Sequence, residues 1–193
     1  MRAVLVHCHP IEGSFSSALR DVAERGLRTA GHDVTVLDLS AESFRCVMTR
    51  AEWEAYMARG DEVPGDIMRH VDAVRSAEML VFTYPTWWSG LPAQLKGWLE
   101  RVMLPGVAFT MEDDRIRPAL THLRRIVVIS TYGSPWLYVK AVNDNGRRTL
   151  TRALRAATGW RAQCRHVGLY AMDTSTDEQR RRFIARVERT VTR

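Results

Sequence analysis

A chain of 193 residues, 46% of them hydrophobic, is long enough to enclose a sizeable core and too short for a second comfortable domain. Its three cysteines, Cys8, Cys46 and Cys164, fit neither a disulfide framework nor a zinc ribbon, and apolar runs such as Arg2 to Val6 are too short to cross a bilayer. The formal charge of +6 comes from arginines spread through several predicted helices, which argues against a nucleic-acid-binding tail, and without a signal-peptide pattern the expected location is the cytoplasm.

Arg2 to Cys8 is a short valine-rich run followed by turn residues, the pattern of a buried strand. After a polar loop, His9 to Ser14, the residues Ala18, Leu19, Val22, Ala23, Leu27 and Ala30 recur at helical spacing from Phe15 onwards, and Gly31 suits a helix stop. Val34 to Leu39 predicts a second strand. Strand, helix and strand within about forty residues is the length of a right-handed parallel crossover. Thr49 and Glu52 have the spacing of a capping box for a surface helix reaching Met57. Gly60, Pro64 and Gly65 interrupt it before a helix over Asp66 to Ala77.

Met79 to Thr83 is almost continuously apolar and predicts a central strand. An aromatic turn, Tyr84 to Pro92, leads into a helix over Ala93 to Met103, with Leu95, Trp98, Leu99 and Val102 on one face. Leu104 to Phe109 and the charged stretch Glu112 to Arg117 form an excursion. Arg125 to Thr131 is the next strand, Tyr132 to Trp136 a loop and Asn143 to Ala157 a helix. Gln163 to Leu169 is the last strand, and Asp177 to Val191 is a strongly charged terminal helix. Five strands alternating with helices predict one α/β domain over 1–193, a parallel, doubly wound sheet with helices on both faces.

In such sheets ligands sit beyond the carboxyl ends of the strands, where helix N-termini present unpaired backbone donors. His9 to Ser16 occupies that position after the first strand. Ser14 and Ser16 offer hydroxyls and Gly13 permits a tight approach, so the loop reads as a phosphate cradle; the alternative makes Ser14 merely a helix cap. It is neither GxxxxGK[ST] nor GxGxxG. His7 and His9 lie two apart with no third ligand at a convincing spacing, so no metal is expected and His7 is assigned to structure. Trp87 and Trp88, in the run TYPTWWSGL, serve either a core or dimer interface or the wall of a planar ring. STYGSPWLY, Ser130 to Tyr138, adds small residues that admit a ligand and three aromatic walls, Tyr132, Trp136 and Tyr138. Anion donors and planar surfaces at one sheet edge fit a flavin mononucleotide.

The runs HPIEGSFS (9–16), YPTWWSGLPAQLKGWLERV (84–102), LPGVAF (104–109) and STYGSP (130–135) resemble the NAD(P)H dehydrogenase (quinone) family of flavodoxin-like flavoproteins over about the whole domain. The resemblance implies that His9, Ser14, Phe15 and Ser16 surround the flavin phosphate and ribityl end. Pro85, Thr86, Trp87, Trp88 and Ser89 would flank the isoalloxazine ring, and Ser130, Thr131, Tyr132 and Gly133 its polar edge. It further implies a homodimer with sites at the interface and electron flow from NADH or NADPH through FMN, with FAD the alternative, to a quinone or similar acceptor by ping-pong kinetics. Tyr138 stands where some quinone reductases carry an active-site tyrosine, and is assigned either a hydrogen bond to the acceptor or simple packing. Asp144 replaces the histidine that follows in those enzymes, and Tyr132 stands where glycine is common. The competing expectation is a flavin-binding regulatory partner, for instance of a membrane transporter, with little turnover of its own.

Overall fold

A computed structural model describes residues 1–58, 63–113 and 115–193. Gly60, expected between two helices, lies outside the described residues.

Five strands form one all-parallel sheet: β1 (Arg2–His7), β2 (Asp33–Asp38), β3 (Met79–Pro85), β6 (Arg125–Thr131) and β7 (Gln163–Leu169), in the order β2-β1-β3-β6-β7. Side chains alternate across it. Ala3, Leu5, Met79, Val81, Val127 and Ile129 meet α1 (Phe15–Thr29) and α8 (Asp177–Val191) on one face. Val4, Val6, Leu80, Phe82, Ile126 and Val128 meet the other layer, which includes α3 (Met68–Ser76) and α4 (Ala93–Val102). Burial on both faces explains why the central strands read as unbroken apolar runs rather than alternating ones.

The local signals act as the sequence indicates. Gly31 closes α1 at φ +76°, a backbone region that glycine enters without a Cβ clash. Thr49 and Glu52 form a reciprocal capping box on α2 (Arg50–Met57). The half-buried Glu52 and the exposed Asp66 both bind the fully buried Arg101 of α4, and Asp66 Oδ2 lies 2.8 Å from Arg101 Nη2. Arg101 thereby clamps α2 and the turn before α3 onto the core.

Three stretches differ from expectation. The excursion after α4 contains an antiparallel hairpin, β4 (Phe109–Glu112) with β5 (Arg115–Pro118). A short helix, α5 (Trp136–Ala141), follows the third loop. The helix expected from Asn143 begins only at Asn145, because Asn143 and Asp144 both adopt positive φ, +73° and +46°. It then runs through α6 (Asn145–Arg148), a π-helical turn (Thr149–Ala153) and α7 (Leu154–Ala156).

Candidate active site

The strand order reverses between β1 and β3, whose carboxyl ends stay paired while the helices that follow them, α1 and α4, pack on opposite faces, the place where open α/β sheets leave a crevice. Three loops meet at this edge. The first is fixed by an internal lattice: the Ile11 N–H donates to His9 Nδ1 at 3.0 Å, and the Ser14 N–H donates to the Ile11 carbonyl at 3.2 Å. Ser14 caps α1, its Oγ accepting from the Ser17 N–H at 3.1 Å. Helix cap and cradle are not exclusive, because Phe15 and Ser16 remain the first residues of a fifteen-residue helix whose N-terminal N–H groups lack intrahelical acceptors. Phe15 is half-buried against the α1/α8 core and the Ser16 side chain is buried.

Ser17, absent from the sequence reading, is the hub of this loop. Its Oγ lies 3.0 Å from Ser14 Oγ, donates to the Ile11 carbonyl at 3.1 Å and stands 3.4 Å from His7 Nε2. His7 is fully buried, its Nδ1 2.8 Å from Thr83 Oγ1, and burial pushes its imidazole down to about 4, so it is a neutral structural residue as expected. His9, Ser17, Arg20, Asp38 and Ser40 line a recess of about 240 Å³ beside the loop. Arg20 brings a guanidinium there, matched by Asp38 at 2.6 Å and Asp21 at 2.7 Å.

A second cleft of about 260 Å³ opens alongside, lined by Thr86, Trp88, Ser89, Tyr132, Gly133, Ser134, Tyr138, Val139, Val142 and Asp144. Six of the residues assigned from the sequence thus converge on one cavity. Pro85, Ser130 and Thr131 stand behind it: Pro85 ends β3 opposite Thr131, whose carbonyl accepts from the Thr86 N–H at 2.8 Å. Trp87 lies outside the cleft lining, tilted against His9 with ring centroids 6.0 Å apart, and so joins the first loop to the second. Neither Trp87 nor Trp88 belongs to the core of the chain; Trp88 is fully exposed at φ +49° and Ser89 follows at φ +57°. Trp136 is also exposed, with Lys140 Nζ 4.8 Å from its ring centroid, and it does not line the cleft as a third wall.

The back of the cleft is a buried hydrogen-bonded set that the sequence did not disclose. Tyr132 donates its hydroxyl to Asp144 Oδ1 at 3.0 Å and stacks on Tyr170, ring centroids 4.6 Å apart. His166 Nε2 lies 2.9 Å from Ser130 Oγ and 3.2 Å from Tyr132 Oη. Burial holds this imidazole down at about 4 in spite of the Asp144 carboxylate, and burial pushes the Tyr132 phenol well up. Gly168 is required here: a Cβ would lie 2.9 Å from both His166 Cε1 and Tyr132 Cε2. Asp144 occupies the cap position of α6, yet its side chain makes no cap bond; it binds Tyr132 and Arg147 instead.

Among the described residues that line the cleft, one polar atom is unmet. Thr86 Oγ1 is buried without a partner. A flat heteroaromatic ring with polar edges would satisfy it, while the α1 terminus suits a phosphate. The residues present therefore fit a flavin nucleotide.

A family model described as "Flavodoxin-like fold" matches residues 1–189. The chain is 28% identical over 152 residues to NAD(P)H dehydrogenase [quinone] 1 of Cavia porcellus, covering 71% of this chain and 55% of that protein's length. It is 26% identical over 205 residues to ribosyldihydronicotinamide dehydrogenase [quinone] of Rattus norvegicus, covering 95% of this chain and 87% of the relative. The solved NAD(P)H:quinone oxidoreductase from Methanothermobacter marburgensis superposes with a TM-score of 0.85 at 26% identity, over 100% of this chain and 94% of its own. The chain belongs to the flavodoxin-like fold family and is homologous to the NAD(P)H:quinone oxidoreductases and ribosyldihydronicotinamide dehydrogenases.

Proposed function

We propose that this protein is a flavin-dependent NAD(P)H oxidoreductase that passes a hydride through bound FMN to a quinone or similar small acceptor. The observation that carries the reading is the adjacency, at the strand-order reversal, of a helix N-terminus and a polar-edged cleft containing the unmet Thr86 hydroxyl. When bound, the flavin supplies the two-electron chemistry, accepting a hydride from NADH or NADPH and releasing it to the acceptor.

The chain's own residues hold and orient. Phe15 and Ser16 direct backbone N–H groups toward the phosphate, with Ser14 fixing the start of the helix. Thr86, its hydroxyl unpartnered, would donate to the polar edge of the ring, and Trp88 and Ser89 would hold it from the side they line. Tyr132 and Gly133 form the far wall. Tyr132 is immobilised by Asp144 and Tyr170, so the wall is rigid before any ligand arrives. Tyr138 lines the cleft half-exposed and presents its hydroxyl to an acceptor. Asp144 does not serve as a free base or charge partner, because its two oxygens are engaged by Tyr132 and Arg147. One cavity for donor and acceptor in turn gives ping-pong kinetics.

Anaerobic stopped-flow absorbance, with protein reconstituted separately with FMN and FAD and mixed with NADH or NADPH, tests the assignment. Rapid bleaching of the flavin band is expected with FMN. Saturated flavin that stays oxidised would instead favour a regulatory flavin-binding partner.

A further inference from the structure

Away from the cleft, a groove of about 450 Å³ runs between β7 and the C-terminal half of α8, larger than either recess of the candidate site. Arg165, Arg186, Arg189 and Arg193 line it together with His166 and Thr190, and among the described residues no acidic side chain contributes. Positions 186 and 189 are three apart, so α8 gathers them on one face; Arg193 follows two residues past the helix end, and Arg165 meets them from the strand. Elsewhere on α8, Arg180 pairs with Asp177 at 3.7 Å and Arg182 with Glu178, while Arg181 stands alone, among the described residues, on the exposed side of the helix. Among the described residues, the four in the groove have no carboxylate at ion-pair distance.

Gathering like charges costs stability, and neighbouring groups register it. Burial and Arg165 together lower the Arg125 guanidinium, and Arg186 adds to the depression of His166. Two ordinary causes each explain only part of the cluster. A helix C-terminus favours Arg189 in the last turn of α8, but not Arg186 a turn earlier or Arg165 on a strand. A charge on an edge strand discourages unwanted pairing and would account for Arg165, but not for the two arginines on the facing helix and the third just beyond its end.

We propose that this groove binds a small polyphosphate anion, such as an inorganic di- or triphosphate or the phosphate tail of a nucleotide, through the guanidinium groups of Arg165, Arg186 and Arg189. Planar guanidinium forks match phosphate oxygens two at a time. Several cations facing one concavity call for a ligand with several negative charges, which a single carboxylate lacks. The volume suits a short phosphate chain. This assignment is independent of the flavin reading, although His166 belongs both to the groove and to the set behind the cleft.

The test is calorimetric titration of sodium tripolyphosphate into protein saturated with FMN, so that the first loop is already filled. If the chain takes up no flavin, Ser14→Asp blocks that loop in its place. The expected result is one tripolyphosphate per chain, bound about tenfold or more weakly by the Arg165→Gln/Arg189→Gln double variant and more weakly as salt is raised. The imidazole NMR signals of His166 should shift on titration in the parent protein. Both substituted side chains are exposed and their removal relieves like-charge repulsion, so the double variant should melt no lower than the parent. Absence of heat and of a His166 shift, or undiminished binding by the double variant, overturns the proposal. So does binding of a short DNA duplex without binding of tripolyphosphate, which would assign the groove to a polymer backbone.

Discussion

Ser14 illustrates how one side chain serves stability and binding, and how the two separate. Its Oγ caps α1, and aspartate caps a helix about as well as serine. Ser14→Asp should therefore leave the melting temperature near that of the parent while setting a carboxylate against the flavin phosphate. A loss of affinity of about ten- to a hundredfold is expected, the size of a few kcal/mol of partly screened repulsion. Fluorescence titration with FMN reads it, and unchanged affinity in a folded variant would remove the phosphate from this loop. His7 and His166 make a second prediction. Each imidazole falls from 6.5 to about 4 in the fold because burial disfavours its charged form. Between those values the unfolded chain binds more protons than the native one, so stability falls as pH drops through that window. By pH 4 each site has cost up to about 3 kcal/mol. Urea midpoints measured from pH 7 to 4.5 should decline, and a flat profile would show that neither ring is held neutral.

The elements were legible wherever a local signal is not overruled by distant contacts. The strands β6 and β7 and the helix α8 end where apolar periodicity and caps place them, and the Thr49 capping box forms as written. The β4–β5 hairpin lacked a strong signal because its strands, one partly buried and one exposed, have no buried alternation and its turn uses Asp113 at φ +49° rather than an Asn-Gly pair. The break between α5 and α6 rests on positive φ at Asn143 and Asp144, and composition does not announce a π-helical turn. Gly97 shows the same limit in the core. Its place on α4 reads as an ordinary helical position, yet a Cβ there would lie 2.1 Å from the Cys46 carbonyl oxygen, a backbone atom that has no rotamer to escape into. Gly97→Ala should destabilise the protein by about 3 kcal/mol or more, although alanine is the better helix former. Thermal denaturation checks the sign: a stabilised variant would mean that α4 does not pack this closely.

At the scale of the whole molecule, the loops of the candidate site were readable because small, polar and aromatic residues crowd the ends of three strands. The buried set behind them was not, because Ser130, Asp144, His166 and Tyr170 meet only once β6 and β7 are in register, Ser130 opposite Gly168. The same edge carries an imbalance that a lone chain does not resolve. Trp87, Trp88, Trp136, Leu137 and Tyr138 all stand exposed, and Trp88 directs its whole ring to solvent from a backbone conformation that costs energy for a bulky residue. A second copy covering these residues would remove that apolar surface from water and close the open side of the cleft. The expected outcome is a dimer by light scattering that Trp88→Glu converts largely to monomer. Because Trp88 makes no contribution to the core of its own chain, the monomeric variant should keep the parent's helical content while losing flavin affinity. If Trp88→Glu leaves the mass unchanged, or the parent is monomeric at micromolar concentration, the aromatic rim serves the ligand alone.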